Sequence, residues 1–185
     1  MKRILVLNGS PRENGNTRML SEAFITRSIQ RGNIVKKYNI PDLKIGGCID
    51  CDKCFSDENT PCVIKDDFNE IAKELVEANV IIFSAPIYFY SMPGQMKCFL
   101  DRLECFYVGK KNLSGKQYAI MSCCEENDMS SFDGLRIPIE RSAKEFGWTL
   151  LDEVLAPNMA EAKDIEQTDG MRRARELADR IVWVF

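Results

Sequence analysis

Five short apolar runs, each separated from the next by a segment with helical spacing, constrain this chain more than any other feature. The clearest is Asn79-Val-Ile-Ile-Phe-Ser-Ala85, an unbroken apolar stretch of the kind buried on both faces in the middle of a parallel sheet. Runs at Arg3–Asn8, Asn33–Ile40, Gln117–Ser122 and Trp148–Leu155 read as the other strands. Between them, helical spacing predicts a helix from Thr17 to Arg31 with Met19, Leu20, Ala23, Phe24 and Ile29 inward. A second opens at Asp66-Asp67, whose charges suit a helix N-terminus, and buries Phe68, Ile71, Ala72, Leu75 and Val76. A third runs from Gly94 to Phe106 with Met96, Phe99, Leu100 and Leu103 inward. A fourth, from Phe132 to Phe146, is expected to be interrupted near Pro138, and the last spans Asp164 to Val184.

Strands alternating with helices predict an α/β, doubly wound, three-layer architecture over residues 1–185 as a single domain. The right-handed crossover rule permits the flavodoxin-like strand order 2-1-3-4-5. In that order a ligand sits beyond the carboxyl ends of strands 1 and 3, where the chain direction switches. The loops after those two strands are therefore the places to look for chemistry.

Composition removes several alternatives. Basic and acidic residues number 25 and 28, with no basic run, which argues against a nucleic-acid partner. No stretch approaches the length of a membrane span, and the four-residue apolar run at the N-terminus is too short for a signal peptide. A cytoplasmic location is expected, and there eight cysteines suggest metal or redox chemistry over disulfides. The chain has no histidine, which excludes His-based acid–base catalysis and His-ligated zinc. Chemistry must come from cysteines, carboxylates, tyrosines or a cofactor.

The loop Gly9-Ser-Pro-Arg-Glu-Asn-Gly-Asn-Thr17 joins strand 1 to a helix N-terminus, where free N–H groups and the helix dipole form an anion site. Ser10, Asn16 and Thr17 add short donors, Arg12 adds a positive charge, and Gly15 allows close approach or a positive φ. Five residues separate Gly9 from Gly15 and Asn16 stands where a P-loop lysine would, so this is not a P-loop; the dinucleotide fingerprint is also absent. A monophosphate is favoured. The competing reading is a polar turn in which Ser, Asn or Thr caps the helix. After strand 3, Pro86-Ile-Tyr-Phe-Tyr-Ser-Met-Pro93 offers aromatics to a flat π-ligand, or else plugs the end of the sheet with Tyr88, Phe89 and Tyr90.

Cys48, Cys51, Cys54 and Cys62 form a dense soft-ligand cluster in a cysteine-rich insertion at residues 46–62. Zinc ribbons separate two CxxC knuckles, whereas these repeats overlap through Cys51. Overlapping C-x2-C-x2-C is the ferredoxin-like arrangement, and Cys62 could complete a [4Fe–4S] ligand set. Thiols without metal, a zinc site and a catalytic thiol are the alternatives. Asp50, Asp52 and Asp57 place negative charge around the thiols, which would lower a cluster's potential.

Ser10-Pro-Arg-x-x-Gly-Asn-Thr17, Pro86-Ile-Tyr-Phe-x-x-x-Pro-Gly94-Gln-x-Lys97 and Phe99-Leu-Asp101-Arg102 together resemble the NADPH-dependent FMN reductases. With the cysteine block added, the chain resembles their iron–sulfur flavoprotein branch. The resemblance implies a flavodoxin-like fold with FMN phosphate on Ser10, Arg12, Gly15, Asn16 and Thr17. It places the isoalloxazine against Pro86, Ile87, Tyr88 and Phe89, with Asp101-Arg102 as architecture. Two departures stand out: bulky Tyr90, which could cover the flavin, and Cys123-Cys124, read as buried small side chains. The implied function is an FMN-dependent oxidoreductase passing reducing equivalents between NAD(P)H and a flavin, quinone or other small acceptor, with no side chain required as a catalytic acid or base. The alternative is an electron carrier in which a [4Fe–4S] cluster relays electrons from ferredoxin to FMN. A thiol- or zinc-based regulatory protein on the same fold is a third reading. A homodimer or homotetramer, and no membrane, complete the expectation.

Overall fold

β1 (Arg3–Asn8) lies between β2 (Ile34–Asn39) and β3 (Val80–Ser84), and β4 (Gln117–Cys123) and β5 (Thr149–Ala156) follow on the far side. The sheet is wholly parallel in the order β2-β1-β3-β4-β5, as the alternation predicts. The computed structural model describes residues 1–57 and 60–181.

Side chains of β1 alternate between two cores. Leu5 and Leu7 face one, with Ile81 and Phe83 of β3; Ile4 and Val6 face the other, with Val80 and Ile82. This period of two puts an apolar layer on each face, and each fully buried Leu or Ile is worth about 1.5–3 kcal/mol. α1 (Asn16–Gln30) and α6 (Gly170–Arg180) cover the second face. The first is covered by α2 (Phe68–Glu77), α3 (Gly94–Asp101), α4 (Glu104–Val108) and α5 (Asp133–Glu145).

Four expectations need correction. Ile29 and Val76 are exposed, because each lies outside the arc its helix turns inward; Ser28 and Leu75 are buried beside them. The helix expected over 94–106 is two helices. Between α3 and α4 the N–H groups of Arg102 and Leu103 also reach back only three residues, to Phe99 and Leu100, tightening the turn. α5, by contrast, runs unbroken through Pro138. A proline there cannot donate to the carbonyl of Gly134, four residues back, and the Ser91 hydroxyl donates to that carbonyl instead, at 3.1 Å. The closing segment is a short 3-10 turn at Asp164–Gln167 followed by α6. Val182, Trp183 and Val184 lie outside the described residues.

Candidate functional site

The carboxyl ends of β1, β3, β4 and β5 open onto one cleft of about 260 Å3. Ser10, Arg12, Gly15, Asn16 and Thr17 line one side of it, and Pro86, Ile87 and Tyr88 another. Gly9 is what lets these loops meet. A Cβ there would lie 2.9 Å from that of Ala85, too close for any other residue without displacing the β3 loop. Its N–H donates to the Ser84 carbonyl at 2.7 Å. Underneath, the Ser21 hydroxyl donates to the Ser84 hydroxyl at 2.7 Å and fastens α1 to β3.

No side chain caps α1, so the polar-turn alternative loses its physical basis. The start of α1 lines the cleft through Gly15, Asn16 and Thr17 and carries the positive end of the helix dipole. Gly15 has an extended backbone at φ −74° and not a positive φ; a Cβ there would press on Arg12 Cβ and Ser10 Oγ, both at 3.1 Å. Its use is close packing. Asn16 lines the cleft and also has a structural use. Its side-chain amide donates to the Glu161 carbonyl at 2.8 Å, and its Oδ1 accepts from the Ile165 N–H at 3.2 Å. Both ends of the amide engage the loop after β5, so Asn16 ties that loop to the start of α1.

Phe89 also departs from expectation. Tyr88 and Ser91 exchange two backbone hydrogen bonds, and Phe89 and Tyr90 form the tip between them with φ of 48° and 61°. This two-residue left-handed turn leaves both rings outside the cleft lining. Phe89 is fully exposed and Tyr90 largely so. Neither plugs the sheet nor lines the cleft. The hairpin is seated on α5 at Gly134, where a Cβ would lie 1.9 Å from the Tyr90 carbonyl oxygen.

Cys123 and Cys124 line the cleft floor as buried thiols. Burial, partly offset by a hydrogen bond with Thr17, pushes Cys123 up to about 12, and burial with nearby Glu126 pushes Cys124 up to about 11. They are neutral at physiological pH. Glu125, Met159 and Ala160 complete the lining and carry no motif of their own. Their position just past β4 and β5 was the available signal.

The cysteine block forms a second site. Cys48, Cys51, Cys54 and Cys62 line one small pocket together with Cys105 and Arg102. Asp50, Asp52 and Phe55 all take left-handed backbone conformations in this loop, at φ of 51°, 55° and 51°. Such a run in non-glycine residues costs free energy, and it curls the chain around the thiols. The loop is gripped at both ends. Lys44 and Asp67 exchange two hydrogen bonds, at 2.7 and 3.1 Å, while the Gly46 N–H donates to Asp66 at 3.0 Å. Asn69 holds Cys62 through its N–H and carbonyl, both at 3.0 Å. The aspartates expected at the start of α2 are there, Asp66 accepting from the Phe68 N–H at 3.2 Å, and they also clasp this loop. Phe55 packs edge-on against Phe106, over Gly109.

Asp101 and Arg102, expected as architecture, serve it in different places. Asp101 bonds Lys97 one turn back, whereas Arg102 turns inward to Asp66 at 2.7 Å. Among the described residues no three Cys, Asp or Glu side chains converge closely enough to hold a single ion. The donor set nonetheless fits a thiolate-ligated cluster: four free thiols share one pocket, beside an Arg102 Nε that lacks an acceptor. The space between them, about 20 Å3, is that of one water. Holding a cubane requires the exposed part of the loop to move outward.

The family model of NADPH-dependent FMN reductases matches residues 2–131. An iron–sulfur flavoprotein of Methanocaldococcus jannaschii is 32% identical over 107 residues, covering 58% of this chain and 54% of that protein. One of Archaeoglobus fulgidus is 33% identical over 116 residues, covering 63% and 51%. The chain thus spans about half the length of the curated relatives it matches. Among solved structures, an NAD(P)H:quinone oxidoreductase from Methanothermobacter marburgensis superimposes with a TM-score of 0.73 at 14% identity, covering 100% of this chain and 98% of that one. That likeness shows the flavodoxin-like fold.

Proposed function

The chain belongs to the NADPH-dependent FMN reductase family, and on that premise we propose that it is an FMN-dependent oxidoreductase passing reducing equivalents between NAD(P)H and a flavin, quinone or other small acceptor. The observation that carries this reading is the cleft at the strand ends, where an uncapped helix N-terminus and Arg12 face Pro86, Ile87 and Tyr88. FMN bound there would supply hydride and single-electron chemistry at its ring. The protein's part is to bind and orient. The start of α1, Ser10 and Thr17 hold the phosphate, Arg12 neutralises it, and Asn16 fixes the loop after β5 as a third wall. Tyr88 and the buried Cys123 and Cys124 give the ring an apolar, uncharged seat. No side chain in the cleft needs to move a proton, in keeping with the absence of histidine.

A second reading is favoured by the four thiols of the cysteine pocket and by the iron–sulfur flavoprotein names of the relatives. Cys48, Cys51, Cys54 and Cys62 would hold a [4Fe–4S] cluster, which supplies one-electron transfer. The protein would then carry electrons from a ferredoxin to FMN. A homodimer or homotetramer suits the fully exposed Phe89, whose ring gains by burial against another copy.

Protein purified without oxygen separates the readings. Flavin bands with steady NAD(P)H oxidation in the presence of quinone or free flavin are expected for the reductase. Turnover near zero with both nucleotides, alongside rapid reduction by ferredoxin and about four iron and four sulfide per chain, would overturn it in favour of the carrier. Protein that neither retains nor rebinds flavin would overturn both.

A further inference from the structure

Arg102 is the largest side chain in the fully buried interior, with 1% of its side chain exposed. A buried cation of this kind is seldom there for stability. An apolar residue of similar volume usually serves as well or better, since desolvating the pair costs about what the attraction returns. Its surroundings say what else it does. One terminal nitrogen donates to Asp66 Oδ2 at 2.7 Å and to the Gly46 carbonyl at 3.0 Å, and the other donates to Asp66 Oδ1 at 3.3 Å. The guanidinium also lies 4.5 Å from the centre of the Phe68 ring. These contacts fix it rigidly. They leave Nε–H without an acceptor among the described residues, in a side chain that walls the pocket of Cys48, Cys51, Cys54 and Cys62. Of these thiols, Cys62 is the one that acts on the guanidinium, by its charge and by side-chain contact.

An N–H left unpaired inside a protein costs about 1–3 kcal/mol. The cost disappears when the neighbouring sulfur is a thiolate, because that sulfur becomes a strong acceptor. Four thiolates also gather more negative charge than a cluster core offsets, and Asp50 and Asp52 on the same loop add to it. The pocket calls for a cation, and among the described residues Arg102, itself paired with Asp66, is the one lining it.

We propose that Arg102 is the positioning and tuning residue of the cysteine site: held by Asp66 and Gly46, it donates its free Nε–H to the Cys62 sulfur and raises the reduction potential of a cluster bound there. This rests on the cluster reading of the second site. Reduction adds one electron to the cluster and makes the ligand set more negative, so a fixed cation and an N–H···S bond stabilise the reduced form more than the oxidised one.

The test uses holoprotein purified without oxygen, assayed for iron and sulfide and titrated with dithionite as the electron source under electron paramagnetic resonance. The double variant Arg102→Met with Asp66→Asn removes both charges together, so no carboxylate is stranded; Arg102→Lys keeps the charge and gives up Nε–H. In the folded, iron-loaded double variant the reduction equilibrium is expected to shift at least tenfold toward the oxidised form, a midpoint about 59 mV lower for one electron. Arg102→Lys shifts it the same way by less. A double variant that melts like wild type and keeps flavin but loses iron supports the positioning role, and the lysine variant then carries the potential measurement. Wild-type midpoints in both loaded variants would overturn the role of Arg102 alone. Wild-type protein without iron and sulfide would overturn the cluster reading, and this proposal with it.

Discussion

Arg102 and Asp66, 36 positions apart in the chain, meet through two nitrogens and two oxygens at 2.7 and 3.3 Å. The pair joins the turn between α3 and α4 to the start of α2, and Gly46 is held between them. Removing one partner strands a buried charge. Asp66→Ala is expected to destabilise the protein by about 3–5 kcal/mol, whereas the combined Arg102→Met and Asp66→Asn change recovers most of that loss. Urea denaturation of the two variants beside wild type measures the difference.

Asn16 spends both ends of its amide on the loop after β5. Asn16→Ala leaves the Glu161 carbonyl and the Ile165 N–H without that partner. The expected cost is about 1–3 kcal/mol, with FMN affinity weakened roughly tenfold or more as the third wall of the cleft loosens. Flavin fluorescence titration reads the affinity and thermal melting reads the stability. A change in stability without any change in affinity would separate the loop from the cleft.

Gly134 is a helical glycine, and replacing such a residue with alanine ordinarily stabilises by up to about 1 kcal/mol. Here the new methyl would sit 1.9 Å from the Tyr90 carbonyl oxygen, which is backbone and cannot rotate away. Overpacking of this kind costs about 1–3 kcal/mol, so the sign reverses. Gly134→Ala is expected to lower the melting temperature and to push the hairpin at 88–91 off α5. A melt at or above wild type would contradict this seating.

Cys123 gives a pH dependence with a definite sign. Burial raises it from an ordinary 9.0 to about 12 in the folded protein. The folded state therefore keeps its proton where the unfolded state has lost it. The resulting stabilisation is full below pH 9 and is lost as pH rises toward 12. Stability measured across that window should fall less steeply in Cys123→Ala than in wild type.

The sheet was legible because its signal is local and redundant. The five residues of β3 are all buried, and an apolar run of that length between helical segments has few other homes. The loop after β1 was legible as a wall of the cleft for a similar reason, since Ser10, Gly15 and Thr17 fall at a strand-to-helix junction. Long-range pairing was not. Arg102 reaches Asp66 across 36 positions, whereas the bond from Asp101 to Lys97, four residues back, is local. The tie from Asn16 to Glu161 spans 145 positions and no local pattern announces it. Phe89 was misplaced because a two-residue turn reverses side-chain direction within one step. Pro138 looked like a break because sequence cannot show that a serine from another loop will supply the missing donor.

The bonds between Lys44 and Asp67 bring together residues 23 positions apart. The residues between them therefore form a loop closed at its base and held again within by Asn69 on Cys62 and by Phe55 on Phe106. Lengthening a closed loop costs little, about 0.6 kcal/mol per doubling, and the strands feel none of it. The exposed stretch between Cys48 and Asp57 is in this sense a cassette: evolution, or an engineer, can lengthen or trim it while the cleft at the strand ends keeps its shape.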